Sequence, residues 1–414
     1  MNGENFERKF IELYQKKNLW QWKNYRLDQN NDLNIVNKEI HQLLRESGGN
    51  IKFSGRKQDV YQQIYVKNMV ENNPKVAALR NKLDNPNNYK SDSSENLDSI
   101  KLAKRMRNDV LKLMEVRNNV AQKLGFESYP GLIFYSEELK KSEVVNGIRN
   151  YLDNNLDKAI KVIKKYQFNW DNWFTQLRKI GQLSLDRQIG DDLQKFFDRF
   201  SLRNVLDNIN FDFENNKLTG FAMWLSIPDD IRVLMKPIDS LHSYRILFHE
   251  AGHAILYASN REDGLFKIVT TAFDEIMAVL FEGIGIELFL NQEDRQLVEE
   301  IKLLEGVRCS ISFLFEMELW KNPGQPEQLF NRYQQLLPIK PKESILWAVD
   351  SFRSIDPVYI HNYILGEIYA QKIINQLIRE NGSDHQRWGS IIGEKFLVNG
   401  QKESFREKYQ NFKI

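Results

Sequence analysis

Apolar residues recur at the spacing of an α-helix along most of this 414-residue chain, and this periodicity restricts the possible folds more than any other feature. The pattern predicts helices through the first 80 residues, between Leu102 and Gly125, between about 137 and 166, and from Asp239 nearly to the C-terminus. Gly125 ends the segment that begins at Leu102, and a glycine suits the left-handed conformation found at many helix C-termini. The fold is therefore expected to be mainly α.

One segment departs from the helical pattern. Between about Asn210 and Lys236, short apolar runs are separated by a turn signal at Asn215–Asn216, by Gly220 and by Pro228. Short apolar runs between turn residues are typical of short strands. The sequence thus predicts a minor β element just before the C-terminal helices.

Composition and charge exclude several classes of protein. Hydrophobic residues make up 42% of the chain and charged residues 28%, as in folded globular proteins. The net charge is only +2, with cations and acids interleaved, so no nucleic-acid partner is expected. Cys309 is the only cysteine, which excludes an intrachain disulfide and indicates a buried thiol. Without a signal-peptide core or an apolar run long enough to span a membrane, the chain is expected to be cytoplasmic.

An apolar helical segment carries two histidines four residues apart. His249 and His253 lie one helical turn apart and about 40° from each other around the axis, so both imidazoles can reach one metal ion. Glu250 is rotated about 100° from His249, and its carboxylate can act as a general base on a nearby water without being a ligand. Gly252 disfavours the helix, which indicates that another backbone approaches closely there.

A third metal ligand is expected among the acids of the next apolar helix, because catalytic zinc sites usually have three protein ligands. Burying Asp274, Glu275 or Glu282 there is costly unless a cation or hydrogen-bond donors lie nearby. Glu275 and Glu282 are seven residues apart and share one helix face. Glu275 is predicted to be the ligand and Glu282 to accept a hydrogen bond from a ligand histidine. Asp274 or Glu282 remains an alternative ligand, and a surface position is the alternative for Glu282.

The HEAGHA pattern that begins at His249, followed by two glutamates seven residues apart, resembles a known family. It is similar to the helical zinc oligopeptidases (gluzincins), the group of thimet oligopeptidase, neurolysin, oligoendopeptidase F, angiotensin-converting enzyme and carboxypeptidase Taq. Residues Arg117–Tyr129 look like the group's Arg-Asn helix end, and Asp356–Gln371 look like its tyrosine segment. The resemblance therefore involves both halves of the chain.

The resemblance implies a fold, a cofactor and an activity. The implied fold is an elongated, neurolysin-like helical body of two lobes separated by a deep channel. The implied cofactor is one Zn²⁺ ion bound by His249, His253 and Glu275, and zinc is also the default metal for this donor set. The implied activity is metallopeptidase hydrolysis of short unstructured oligopeptides, as an oligoendopeptidase or a carboxypeptidase, with Glu250 as the base.

Tyrosines of the Asp356–Gln371 segment are candidates for stabilising the transition state. Asp356 and Pro357 are predicted to be the N-cap and first residue of a helix on which Tyr359 and Tyr363 share one face. The resemblance implies that Tyr363 donates a hydrogen bond to the oxyanion and that Tyr359 is a second donor. Two core tyrosines with satisfied hydroxyls are the alternative.

Two further residues are candidates for substrate binding. His361 lies about 200° from the two tyrosines around the helix axis, so it faces elsewhere on a regular helix. Arg353 precedes that helix and can pair with a substrate carboxylate, with a surface arginine as the alternative.

The whole chain is expected to be a single catalytic unit in two lobes. An N-terminal helical part covers about 1–205, and a zinc-binding catalytic part covers 206–414. Two other functions remain open: a catalytically silent protein that binds peptides or a partner with the same fold, and a zinc hydrolase of a non-peptide amide. The sequence leaves the oligomeric state open.

Overall fold

A computed structural model of the chain describes residues 1–412 except 28, 30, 92–94, 96, 182–188 and 215–218. Helices dominate the described residues, as predicted. The N-terminal half contains α1 (Gly3–Arg26), α2 (Leu33–Ser47), α3 (Arg56–Glu71), α4 (Pro74–Asp84), α5 (Ser99–Lys123), α6 (Tyr129–Ser136), α7 (Lys141–Lys165), α8 (Trp173–Lys179), α9 (Ile189–Arg199) and α10 (Arg203–Leu206). The C-terminal half contains α11 (Leu241–Ser259), α12 (Thr271–Phe289), α13 (Gln292–Lys321), α14 (Pro326–Gln334), α15 (Ser351–Ser354), α16 (His361–Asn381), α17 (His385–Ile392) and α18 (Phe405–Phe412). Short 3₁₀ helices lie at Pro86–Tyr89, Gly264–Lys267 and Ser344–Val349, and a π-helical turn lies at Gly393–Leu397.

Helix α5 shows how local sequence sets the ends of a helix. The Asp98 side chain accepts a hydrogen bond of 2.8 Å from the backbone N–H of Lys101, which caps the N-terminus. Gly125 follows the last turn with a φ of +91°, a conformation that favours glycine. Val110 and Leu113 are buried on the inner face. The predicted helix and its glycine end are both confirmed.

The predicted β element is a small mixed sheet. It consists of β1 (Ile209–Asp212), β2 (Gly220–Ser226) and β3 (Asp230–Met235), in the order β1-β3-β2. Strand β1 pairs with β3 in parallel, and β2 pairs with β3 antiparallel. The turn predicted at Asn215–Asn216 lies outside the described residues. The sheet packs against α11, and α1 lies beside β2, where Asn18 donates a hydrogen bond of 2.8 Å to the Trp224 carbonyl.

Three apolar cores hold the helices together. One joins α5–α7 with α13–α15, a second joins the sheet with α11 and α12, and a third lies among α1–α3. Helices α13 and α16 contribute to both larger cores, and Cys309 is buried in the first, as expected. The division into parts 1–205 and 206–414 remains a prediction. None of the helices in the described residues is long and apolar enough to cross a bilayer.

Two glycines allow three helices to pack closely. A Cβ atom on Gly252 of α11 would lie 2.7 Å from the Cα atom of Ala278 on α12. A Cβ atom on Gly366 of α16 would lie 2.7 Å from Val279 and 3.2 Å from the carbonyl oxygen of Glu275. The close backbone approach expected at Gly252 is therefore confirmed. Helix α12 packs on α11 at one glycine and on α16 at the other.

The predicted start of the tyrosine helix is wrong. Helix α16 begins at His361, so Asp356 and Pro357 are neither its N-cap nor its first residue. Val358 has a φ of +57°, which no helix can continue through, and its N–H donates a hydrogen bond of 2.8 Å to the buried carboxylate of Glu316. An Asp-Pro pair suits a turn as well as a helix start, and this tertiary contact selects the turn.

Candidate metal centre

Three side chains that the sequence singles out lie together. Nitrogens of His249 and His253 and a carboxylate oxygen of Glu275 all lie within 4.8 Å of one another. Nε2 of His249 is 3.4 Å from Oε2 of Glu275, and Nε2 of His253 is 3.9 Å from Oε1 of the same carboxylate. Both histidines come from one face of α11, and Glu275 comes from the closely packed α12. We call these three residues the ligand cluster.

A carboxylate lies at the other ring nitrogen of each histidine. Nδ1 of His249 is 3.1 Å from Oε2 of Glu282, and Nδ1 of His253 is 2.6 Å from Oδ1 of Asp274. An Nδ1–H that donates to a carboxylate leaves Nε2 free to bind a metal. Tyr257 donates a hydrogen bond to the other oxygen of Asp274. From the sequence, Asp274 is predicted only as an alternative ligand, because its position beside Glu275 does not reveal which histidine it faces.

The electrostatics of the ligand cluster favour a cation. Burial lowers the pKa of His253, but the charge and hydrogen bond of Asp274 outweigh burial and raise that pKa to about 9. Burial also opposes a charge on His249, yet the nearby carboxylates of Glu275 and Glu282 raise its pKa well above the ordinary value. A metal ion must displace these protons, so metal affinity rises with pH.

Glu282 belongs to a buried ionic network behind His249. Its carboxylate is 3.0 Å from Nη1 of Arg245 and 3.3 Å from Nζ of Lys302. Burial alone would raise the pKa of Glu282, but these two cations hold it well below its usual range. Glu282 therefore stays ionised and accepts the hydrogen bond from His249.

Glu250 is buried beside the ligand cluster without belonging to it. It lines a cavity of about 390 Å³ together with His249 and Tyr363, which we call the Glu250 cavity. Gly220 at the start of β2 lies against it, since a Cβ atom there would be 2.8 Å from Cγ of Glu250. Burial raises the pKa of Glu250, while the charges of His253 and His249 lower it. A carboxylate in this position can accept a proton from a water in the cavity.

The two predicted tyrosines occupy different positions at the cluster. Tyr359 donates a hydrogen bond to Oε1 of Glu275. Tyr363 lines the Glu250 cavity, with its ring centroid 6.5 Å from that of His249 and 5.5 Å from that of Tyr359. Tyr363 thus faces the Glu250 cavity, and Tyr359 faces the carboxylate of Glu275.

His361 and Arg353 are not brought to the ligand cluster. His361 is fully buried between the rings of Phe134 and Phe313, with centroid distances of 5.2 and 5.6 Å. Arg353 is only 2% exposed, and its Nη1 lies 3.4 Å from the carboxylate of Glu316. Neither side chain lines the Glu250 cavity. Both are held in the core, which leaves no surface for substrate to contact.

Acid is expected to destabilise the protein through His361. Burial lowers its pKa from 6.5 to about 4 in the folded state, whereas the unfolded chain has the ordinary value of about 6.5. The unfolded state therefore takes up the proton first. The stabilisation is complete above pH ~6.5 and is lost as the pH falls through about 4, by roughly 3 kcal/mol. Urea denaturation of wild type and His361→Phe in EDTA across this range measures the effect. Parallel pH curves for the two proteins would contradict it.

Asp274→Asn is expected to weaken zinc binding by roughly 10- to 100-fold, because a carboxylate on Nδ1 orients a ligand histidine and raises its basicity. Competition with a chromophoric chelator gives the zinc dissociation constant. Glu299→Gln removes an exposed acid of α13 and provides the control. An unchanged dissociation constant for Asp274→Asn would show that Asp274 does not support His253 as a ligand.

The residues of the ligand cluster fit a divalent metal. Two imidazoles and one carboxylate form a common catalytic zinc donor set. Oε2 of Glu275 is buried and has no hydrogen-bond partner among the described residues. A buried carboxylate oxygen without a donor is costly, and a cation held by the three side chains would satisfy it.

Comparisons with known proteins find similarity in structure and not in sequence. No protein-family model and no curated protein matches the chain. Metallocarboxypeptidase 1 of Trypanosoma cruzi superposes with a TM-score of 0.68 at 12% identity, over 99% of this chain and 95% of that one. The carboxypeptidase of Pyrococcus furiosus superposes with a TM-score of 0.64 at 12% identity, over 99% of this chain and 94% of that one. PZ peptidase A superposes with a TM-score of 0.60 at 14% identity, over 92% of this chain and 81% of that one.

These similarities cover nearly the whole chain. The chain has the fold of the helical zinc oligopeptidases, so the predicted mainly α architecture with a minor β element is confirmed. At 12–14% identity the comparison shows the fold alone, and the activity must be argued from the site.

Proposed function

We propose that this chain is a zinc-dependent peptidase of short unstructured peptides, with His249, His253 and Glu275 as the zinc ligands. The observation that carries the proposal is the clustering of these three side chains within 4.8 Å, beside the carboxylate of Glu250 on the wall of a cavity. Two proteins with the same fold are named a metallocarboxypeptidase and a PZ peptidase, and these names support a peptide as the substrate.

The roles of the protein's own side chains follow from their positions. A zinc ion held by His249, His253 and Glu275 would polarise the scissile carbonyl and lower the pKa of a bound water molecule. Glu250 accepts a proton from the attacking water molecule and later donates it to the nitrogen of the leaving amine. Tyr363 donates a hydrogen bond to the carbonyl oxygen as negative charge develops there. Tyr359 donates to Glu275 and keeps that ligand oriented, which makes it a positioning residue.

Mass-spectrometric product analysis tests the proposal. The zinc-loaded protein is incubated with a mixture of unstructured peptides, and a parallel sample contains EDTA. Internal cleavage in the zinc sample alone would identify an endopeptidase, and loss of C-terminal residues alone would identify a carboxypeptidase. No cleavage by protein with bound zinc would refute the peptidase and favour a binding protein or a hydrolase of a non-peptide amide.

A further inference from the structure

A second cavity, of about 300 Å³, lies next to Tyr359. We call it the Lys17 cavity. Its walls come from α1, α3, α4 and α6, from the segments that precede α12 and α16, and from the first turn of α16. The charged residues that line it are Lys17, Lys67, Glu71, Arg80, Glu137 and Asp356. Because Tyr359 donates a hydrogen bond to Glu275, one side chain connects this cavity with the ligand cluster. The Lys17 cavity therefore lies one side chain away from the ligand cluster.

The acids of the Lys17 cavity already have cationic partners. Glu71 accepts two hydrogen bonds from the buried Arg117, of 3.0 and 2.9 Å, and lies 3.3 Å from Arg80. The pKa of Glu71 is about 2, since these arginines outweigh its burial. Glu137 is 2.6 Å from Lys67.

The third acid, Asp356, is half exposed and lies 4.0 Å from Arg80. The lining thus has three cations and three carboxylates, and Arg117 behind Glu71 adds a fourth cation. Glu71, Glu137 and Asp356 pair with Arg117, Lys67 and Arg80, and Lys17 is the cation outside these pairs.

Lys17 makes no ion pair or hydrogen bond with any described residue, and its Nζ lies 5.8 Å from the centroid of the Tyr14 ring. Burial and then the charge of Arg80 lower its pKa to about 8. Two more polar atoms at the cavity lack partners among the described residues: Nε of Arg80 and Oδ1 of Asn362 are both buried without a hydrogen bond. Buried polar atoms without partners are costly. Among the charged residues that line the cavity, Lys17 is therefore the one without an ion pair to a described residue.

We propose that the Lys17 cavity binds a carboxylate group of the peptide substrate, with Lys17 as its ionic partner. This inference rests on the proposed function, because it needs a peptide held at the ligand cluster. A carboxylate would form an ion pair with the ammonium group of Lys17. The carboxylate comes either from the C-terminus of the peptide or from an Asp or Glu side chain.

Binding of labelled short peptides to the Glu250→Gln protein tests this inference without turnover. One peptide lacks acidic side chains and has a free C-terminus, and a second is its C-terminal amide. A third is the amide with one Glu, and a fourth has Gln at that position. Fluorescence anisotropy gives each dissociation constant. Lys17→Gln and the conservative Lys17→Arg are compared with Lys9→Gln, an exposed lysine on the same helix.

The first and second peptides form one pair, and the third and fourth form another. In one of these pairs, the peptide with the carboxylate is expected to bind roughly 10- to 100-fold more tightly than its neutral counterpart. Lys17→Gln should abolish that preference, Lys17→Arg should keep much of it, and Lys9→Gln should not alter it. A preference in the first pair assigns the site to the C-terminus, and a preference in the second pair assigns it to an acidic side chain.

Three results would overturn the inference: no measurable binding, equal affinity within both pairs, or a preference that survives in Lys17→Gln. Cleavage by wild type is measured separately. Cleavage without a carboxylate preference keeps the peptidase and refutes the Lys17 site. A Lys17-dependent preference without cleavage keeps the site and refutes the peptidase.

Discussion

Glu250→Gln is expected to reduce kcat by roughly 10²- to 10⁴-fold while leaving the zinc content unchanged. Glutamine has nearly the size of glutamate and fills the same space against Gly220, but its amide cannot accept a proton. Because Glu250 lies outside the cluster of His249, His253 and Glu275, the substitution leaves the ligands in place. Steady-state kinetics on a cleaved peptide gives kcat, and inductively coupled plasma mass spectrometry gives the zinc content.

Glu305→Gln is the matched control for Glu250→Gln. Glu305 lines the same cavity and lies 2.5 Å from Nη2 of Arg245. In Glu305→Gln, Arg245 still has Glu282 as an ionic partner. The kcat of Glu305→Gln should stay within a few-fold of the wild-type value. Wild-type turnover by Glu250→Gln would show that the base is another group and that the proposed mechanism is wrong.

His253→Ala is expected to lose both bound zinc and turnover. The substitution removes one of the three proposed ligands and also leaves Asp274 without its imidazole partner, 2.6 Å away in the wild type. A ligand that binds only the folded state raises the melting temperature. Added zinc should therefore raise the melting temperature of wild type and leave that of His253→Ala unchanged. Zinc content after dialysis against a weak chelator provides a second measurement.

His242→Ala is the control for loss of a histidine. His242 lies on the same helix and lines the same cavity, but it does not belong to the ligand cluster. The His242→Ala protein should keep its zinc and should still show the rise in melting temperature on addition of zinc. If His253→Ala retained the zinc content of the wild type, the zinc would be bound by other residues and the proposed ligand set would be wrong.

The relation between His249, Glu250 and His253 was predictable because it depends only on helix geometry. Four residues bring two side chains to one face, and one residue turns a side chain away from it. The same local reasoning explains the end of α5 at Gly125, where a positive φ is required. Gly252 indicated a close neighbour, although nothing in the sequence identified that neighbour as Ala278 of α12.

The acids around the histidines show where local reasoning stops. Asp274, Glu275 and Glu282 all lie on one apolar helix, and their spacing allows more than one assignment of ligand and hydrogen-bond acceptor. Packing of α12 on α11 places Glu275 at the Nε2 atoms and the other two acids at the Nδ1 atoms. The ring nitrogen that each acid contacts depends on the distance and the rotation between the two helices. Residue spacing along one helix does not determine either quantity.

By itself, the sequence determined a mainly helical chain, a short β element before the histidine helix, and a pair of histidines able to share one metal ion. These features follow from periodicity and turn residues within single segments. Only the tertiary structure decided that α16 begins at His361, that His361 and Arg353 are buried in the core, and that Lys17 lies in a cavity connected to Glu275 through Tyr359. Such positions depend on contacts between residues far apart in the chain, because burial and charge pairing are set by the segments that pack together.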